Sequence, residues 1–188
     1  MSTANGSGLP RRTFLGQLVV AILGVGRRVW AQGTRRLRYH PLREPVLVPL
    51  DSLSATGRAR RFQARAVSLP SAAEPERPIR VNGMVARIGA GDDDPDRFRA
   101  VCVVCPHEQC DVDFVADPST IDPMVLAEVG PVDEPMYLCP CHNSAFTMAD
   151  GARLGGPAPR GLYRFRVTAV TESAVEIGEV EEDVLLFF

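Results

Sequence analysis

Cys139-Pro140-Cys141-His142-Asn143-Ser144 puts three metal-coordinating side chains into four positions, straight after Tyr137-Leu138, an apolar pair that reads as the end of a strand. A second loop upstream, Cys105-Pro106-His107-Glu108-Gln109-Cys110, repeats the chemistry. Two of the three histidines and four of the five cysteines lie in these loops, and the rest of the chain reads as support or delivery. Cys105-x-His107 and Cys139-x-x-His142 would present two thiolates and two imidazoles to a common point. A structural Cys2His2 zinc tetrahedron is the plain alternative, since that donor set is common.

The flanking segments are short, β-type and separated by turns. Val46-Leu47-Val48 reads as a strand, and Phe62 to Val67 alternates as a half-buried strand does. Ile79 to Ile88 reads as a hairpin about Asn82-Gly83, a strong turn dipeptide. Phe98 to Val104 runs into the first cysteine loop, with Cys102 as a small buried core residue. Ala145 to Met148, Tyr163 to Val167 and Val175 to Ile177 complete an all-β domain of antiparallel strands. Gly89 to Asp96 is an acidic, solvated tip without calcium-ligand spacing. Between the metal-type loops, Asp113 to Pro135 is an acidic, proline-punctuated surface excursion with a helical turn or two around Met124 to Val129.

Charge is uneven. Residues 1 to 45 carry eight arginines against Glu44 alone, a balance of +7, which leaves −9 for residues 46 to 188. An acidic domain lacks the basic face that phosphate neutralisation needs, so nucleic acid is not an expected partner. The basic start has the layout of an export signal: Arg11-Arg12 ahead of Phe14-Leu15, then an apolar run to Gly26. The adjacent arginines resemble a twin-arginine signal, which exports folded, cofactor-loaded proteins. Thirteen apolar residues make roughly 20 Å of helix against about 30 Å of hydrocarbon, so an anchor must run on to Trp30, whereas Val29-Trp30-Ala31 offers cleavage after Ala31. Residues 1–31 are therefore expected as signal or transmembrane anchor, 32–45 as a linker with a solvated His40, and 46–188 as the domain, its metal-binding part at about 98–160. In an exported protein the spare cysteine of each loop, Cys110 and Cys141, suggests a disulfide tying the loops together.

Cys105-Pro106-His107-x-x-Cys110 with Cys139-Pro140-Cys141-His142-x-Ser144 resembles the Rieske iron-sulfur proteins, specifically the disulfide-containing type of quinol-oxidising cytochrome bc and b6f complexes. Gly155-Gly156-Pro157-Ala158-Pro159 resembles the proline loop that covers the cluster in that family. The resemblance spans roughly residues 98 to 167. It implies a Rieske-like antiparallel β-sandwich with a cluster-binding subdomain, and one [2Fe-2S] cluster. Carried over by position, Cys105 and Cys139 would ligate the inner iron and His107 and His142 the outer one, while Cys110 and Cys141 would form the disulfide. With two thiolates and two neutral imidazoles the oxidised centre is neutral, which eases reduction and places the potential between about −150 and +300 mV. An exposed ligand imidazole could bind a quinol oxygen and exchange its outer proton as the iron changes oxidation state.

Other positions tune that expectation. Ser144 falls where the family's serine hydroxyl bonds a bridging sulfide, and Gly156 and Pro157 fall in the covering loop. Phe146 stands where high-potential members place a tyrosine that donates to a ligand sulfur, which implies a midpoint in the lower half of the range, suited to a quinone such as menaquinone. Glu108-Gln109 replaces an apolar residue and a glycine, so the first loop is more polar and more negative than the family pattern. The expected function is electron transfer from quinol to a c-type cytochrome or plastocyanin-like acceptor, within a complex containing cytochrome b- and c-type subunits, on the exported side of the membrane. The alternative is a relay subunit of an exported oxidase, resembling the small subunit of arsenite oxidase, that never touches quinol. A Rieske oxygenase would need a further iron held by two histidines and a carboxylate, and only His40 is left over.

Overall fold

The computed structural model describes residues 37–70 and 75–187. The expected export signal, with its alternatives of anchor or cleavage after Ala31, lies outside the described residues. Among the described residues, ten strands make two sheets, in which every pairing is antiparallel, in agreement with the all-β expectation. The larger sheet has the order β1-β10-β9-β4-β3-β2, built from β1 (Tyr39–Pro49), β2 (Ala59–Val67), β3 (Pro78–Arg87), β4 (Phe98–Cys102), β9 (Arg164–Val170) and β10 (Ala174–Glu181). Its terminal strands β1 and β2 return into contact, so the sheet curls toward a barrel. The smaller sheet is a meander of three-residue strands: β5 (Asp113–Val115), β6 (Met136–Leu138), β7 (Ala145–Thr147) and β8 (Arg153–Gly155).

Strand alternation sorts the core into three layers. Val81, Val85, Phe98, Phe165, Val175 and Ile177 fill the curled sheet, closed at one end by Val184 and Leu185 of the terminal helix α2 (Glu182–Phe187). Val101, Val103, Tyr137, Phe146 and Leu162 pack the two sheets together, and Cys105 and Cys139 belong to this layer. Ile121 and Val125 pack on Met136 and Ala145, which fixes the short helix α1 (Pro123–Val129) to the small sheet. The excursion between the loops is thus shorter than expected, because Asp113 to Val115 already pairs with β6.

Four expectations are corrected. Asn82-Gly83 is not a turn: both lie inside β3, where Gly83 stands opposite Phe62 of β2. A Cβ at Gly83 would meet the Phe62 ring at 2.3 Å, so this glycine exists to seat an aromatic ring. The linker expected over 32–45 ends early, since the chain is in β1 from Tyr39 and pairs with β10. His40, expected to be solvated, places Nε2 2.8 Å from Glu182 Oε2. The acidic tip is also more ordered than a solvated loop, because the buried Arg87 guanidinium donates to Asp93 and to the carbonyls of Gly89 and Gly91.

Candidate metal centre

Both cysteine loops are the same backbone turn. Val104 and Asp111 form a bridge around residues 105–110, and Leu138 pairs with Ala145 around residues 139–144. Each loop closes from its first N–H to its sixth carbonyl, Cys105 to Cys110 at 2.8 Å and Cys139 to Ser144 at 2.9 Å. The fifth residue of each, Gln109 and Asn143, takes a left-handed backbone. Prolines at the second positions preset φ and remove a donor from an already tight turn.

A disulfide between Cys110 and Cys141 ties the loops, with Cα atoms 6.5 Å apart. Cys105 and Cys139 stay free and are almost wholly buried. Burial pushes the Cys105 thiol up, while the backbone N–H groups of His107 and Glu108 point at it and pull the other way. The Cys105 and Cys139 side chains are neighbours, and the Cys139 thiol adds to the upward push on Cys105. Burial outweighs those donors, and the same two N–H groups would hydrogen-bond a metal-bound thiolate.

The histidines form a second pair, their ring centroids 4.9 Å apart and the rings nearly perpendicular at 84°. His107 Nδ1 is buried without a hydrogen-bond partner, whereas its Nε2 faces the exposed Glu108 carboxylate at 3.9 Å. His142 Nε2 faces the other oxygen of the same carboxylate at 3.8 Å. Both separations exceed hydrogen-bond length, so the contact is electrostatic. A buried imidazole nitrogen with no partner costs on the order of 1–3 kcal/mol unless something binds it. Two buried thiols, two imidazoles and that orphaned nitrogen fit a mixed-ligand [2Fe-2S] cluster. Zinc would accept the same four donors but leaves the inter-loop disulfide as its only distinction from a simple finger. Cys110 and Cys141 lie close to Cys139 but are consumed by the disulfide.

The expected tuning residues surround this centre. Ser144 is fully buried, and its Oγ accepts from the Ala158 N–H at 3.0 Å, which leaves its own hydroxyl hydrogen free to donate. Gly156 has φ +84°, and a Cβ there would come within 2.5 Å of Ser144 Cα. The segment 155–159 is thus pressed onto the second loop, with Pro157 and Pro159 exposed and Ala158 buried. Phe146 is fully buried on β7 opposite Tyr137, whose hydroxyl is buried and unpaired. Cys102 is buried in the main core, its thiol pushed up to about 12 by burial, and takes no part in the centre.

Two functional contacts were not anticipated from the residues alone. Glu108 reads in sequence only as added negative charge, yet it stands between both outer imidazole nitrogens. Arg160, directly after the covering loop, pairs with Glu181 and Asp183 and lies over the Tyr163 ring at 4.2 Å. Glu181 is 1% exposed, so this pair nails the downstream end of the covering loop to β10. No local pattern marks either contact, because the partners are far apart in sequence or differ from the usual residue.

The Rieske [2Fe-2S] domain family matches residues 73–168, just over half of the chain. The cytochrome bc1 complex Rieske iron-sulfur subunits of Streptomyces lividans and Streptomyces coelicolor are each 47% identical over 49 residues, 25% of this chain. Those stretches cover 29% and 14% of the two relatives, so the chain matches less than a third of either. The crystal structure of the cyanobacterial plasma membrane Rieske protein from Synechocystis superposes with a TM-score of 0.39 at 20% identity, over 70% of this chain and 97% of that one. With the family matched across both cysteine loops and the donor set gathered by the fold, this chain belongs to the Rieske [2Fe-2S] proteins and carries one such cluster for electron transfer.

Proposed function

We propose that the chain is the iron-sulfur subunit of a quinol-oxidising cytochrome bc-type complex, exported by the twin-arginine route and passing electrons to a c-type cytochrome or plastocyanin-like acceptor. Cys105 and Cys139 hold the inner iron, and His107 and His142 hold the outer one. The observation that carries this reading is the contrast in exposure between the two donor pairs. Both thiols are 1% exposed, whereas the His107 and His142 side chains are 28% and 46% exposed. Only the imidazoles can meet a partner.

The cluster supplies one-electron transfer at a potential that its mixed ligands raise. The chain supplies the rest. His107 and His142 present Nε2 at the surface, where an outer nitrogen can accept a hydrogen bond from a quinol hydroxyl and hold the proton that leaves with the electron. The 155–159 segment and the disulfide exclude water from the sulfur side. Phe146 offers no donor to a ligand sulfur, so the midpoint lies in the lower half of the Rieske range and suits a low-potential quinone such as menaquinone. The Streptomyces relatives support the assembly with cytochrome b- and c-type subunits.

A redox titration followed by EPR across pH 6 to 10 tests the reading. A midpoint that falls as pH rises is expected; a pH-independent midpoint overturns the quinol role. One observation favours a second reading, electron relay inside an exported oxidase: the Glu108 carboxylate puts a negative charge beside both nitrogens that quinol must reach. A constant midpoint with an intact cluster would select it.

A further inference from the structure

A cavity of about 200 Å3 opens over β4 and β9, and three arginines line it: Arg99, Arg164 and Arg166. Their charges are not equally answered. Arg164 donates through Nη2 to Asp150 Oδ2 at 3.0 Å and through Nε to the Asp150 carbonyl at 2.9 Å. Arg166 donates through Nη1 to Glu179 Oε2 at 2.6 Å, and its guanidinium lies 4.1 Å from the centre of the Tyr39 ring. Arg99 has no carboxylate: Nη1 alone donates, to the carbonyls of Asp96 and Phe98, and its Nε and Nη2 make no hydrogen bond among the described residues.

Strand pairing sharpens the imbalance. Ala100 pairs with Phe165 and Val101 with Arg164, so the next step of that register sets Arg99 against Arg166. Like charges opposed across neighbouring strands destabilise a sheet, and an anion between them removes the penalty. Asp150 is not that anion, because its Oδ1 already accepts from Thr147 Oγ1 at 2.7 Å and from the Ala152 N–H at 3.0 Å, while Oδ2 takes Arg164. Asp96, the other carboxylate of the lining, is solvent-exposed, where water and salt screen it. Tyr39 lines the same cavity; burial pushes its phenol up, so the hydroxyl keeps its proton, and no hydrogen bond among the described residues uses it.

We propose that this cavity is an oxyanion site that takes a phosphate group, as inorganic phosphate or as the phosphodiester of a lipid headgroup, held by Arg99 and Arg166 with the Tyr39 hydroxyl as a further donor. Guanidinium groups match phosphate in shape and give it charge-assisted, bidentate bonds. A tetrahedral oxyanion offers oxygens in several directions, which suits donors carried on three different strands better than a planar carboxylate does. With Asp150 answering Arg164 and Glu179 answering Arg166, the unanswered charge is that of Arg99, and a bound anion closes the balance. No residue of either cysteine loop lines the cavity, so a bound phosphate leaves the cluster untouched. It ties Tyr39 of β1 to β4 and β9, and so raises the stability of the fold as its concentration rises.

The test is calorimetric titration of the full-length, iron-loaded protein with potassium phosphate and, separately, with glycerophosphoglycerol, the water-soluble headgroup of an anionic lipid. Ionic strength is held constant with KCl. One site per chain is expected for at least one of the two ligands, and the tighter one names the source. R99Q should weaken that ligand roughly tenfold or more, whereas R80Q, which removes the same charge from an exposed position on β3, should leave it within about twofold. The unfolding midpoint of the parent should rise with ligand, and that of R99Q should not. Y39F keeps every charge and should weaken binding by about threefold or more, which decides the case if R99Q loses its cluster EPR signal and so proves misfolded. Absence of saturable binding by both ligands overturns the site, as does unchanged affinity in R99Q, or in Y39F where R99Q does not fold. An equal loss in R80Q also overturns it, since the response is then to net charge alone.

Discussion

Gln109 and Asn143 occupy equivalent places in the two cluster loops, each the fifth residue of its turn, with φ 59° and 56°. The loops differ in what this backbone costs. Asparagine is among the residues that tolerate the left-handed region, whereas glutamine pays on the order of 1 kcal/mol there. Replacement by glycine relieves that cost and is offset only in part by the greater freedom of the unfolded chain. Q109G is expected to stabilise the domain by up to about 1 kcal/mol in a denaturant titration, and N143G by less. An equal or larger gain for N143G would mean that the strain lies elsewhere.

The disulfide closes a loop between residues 31 positions apart. Constraint of the unfolded chain over that distance is worth about 3–4 kcal/mol in the chain-entropy model. The double variant C110S/C141S is expected to lose that much in urea unfolding. It should also lose iron faster, since no covalent link then joins the two loops. A variant with unchanged stability would show that the small sheet alone fixes the loops.

Phe146 stands buried beside Tyr137, and no hydroxyl from it reaches the cysteine pair. In F146Y the new hydroxyl either finds a ligand sulfur or remains unpaired. The first outcome raises the midpoint, by roughly 60 mV for a bond worth about 1.4 kcal/mol to the reduced state. The second leaves the midpoint alone and destabilises the fold by about 1–3 kcal/mol. A raised midpoint is expected, measured by EPR-monitored titration at fixed pH.

How far the residues alone lead depends on whether the determinant is local. The two loops are legible because Cys-Pro-x-x-x-x turns and their ligands lie within six positions, and alternation reveals β2, β9 and β10. Gly83 misleads because its reason, the Phe62 ring on the neighbouring strand, lies 21 residues away. His40 misleads similarly: its partner Glu182 is at the other end of the domain. Three-residue strands such as β5 and β8 carry too few residues for any periodicity to register. Glu108 was visible as a departure from the family pattern, but its position between two rings needed the fold.

Glu181 is the most buried carboxylate described, and it accepts from Arg160 and from the Arg164 backbone N–H at 3.0 Å. Removal of one partner leaves a buried charge uncompensated. R160A is expected to cost about 3–5 kcal/mol, whereas R160A/E181L should recover much of the loss. The double variant would still free the end of the covering loop, so its cluster should bleach faster in air than that of the parent. Recovery of both stability and cluster lifetime would show that the ion pair does not restrain the loop.

Gly156 and Gly91 both have positive φ, +84° and +102°, but their surroundings differ. A Cβ on Gly91 meets nothing within 4 Å, whereas one on Gly156 meets Ser144 Cα at 2.5 Å, Ser144 N at 2.8 Å and the Asn143 carbonyl at 2.9 Å. G91A therefore measures the backbone cost alone, about 1 kcal/mol. G156A adds a clash with backbone that cannot rotate away, so the covering segment must lift and the Ala158 N–H loses Ser144 Oγ. The expected cost exceeds that of G91A by at least about 1–2 kcal/mol. Lifting the segment also admits water to the sulfur side, so G156A should lose its visible absorbance faster than G91A under air. Equal stabilities would show that the covering segment yields without strain. Equal bleaching rates with unequal stabilities would show that the segment braces the fold but does not shield the cluster.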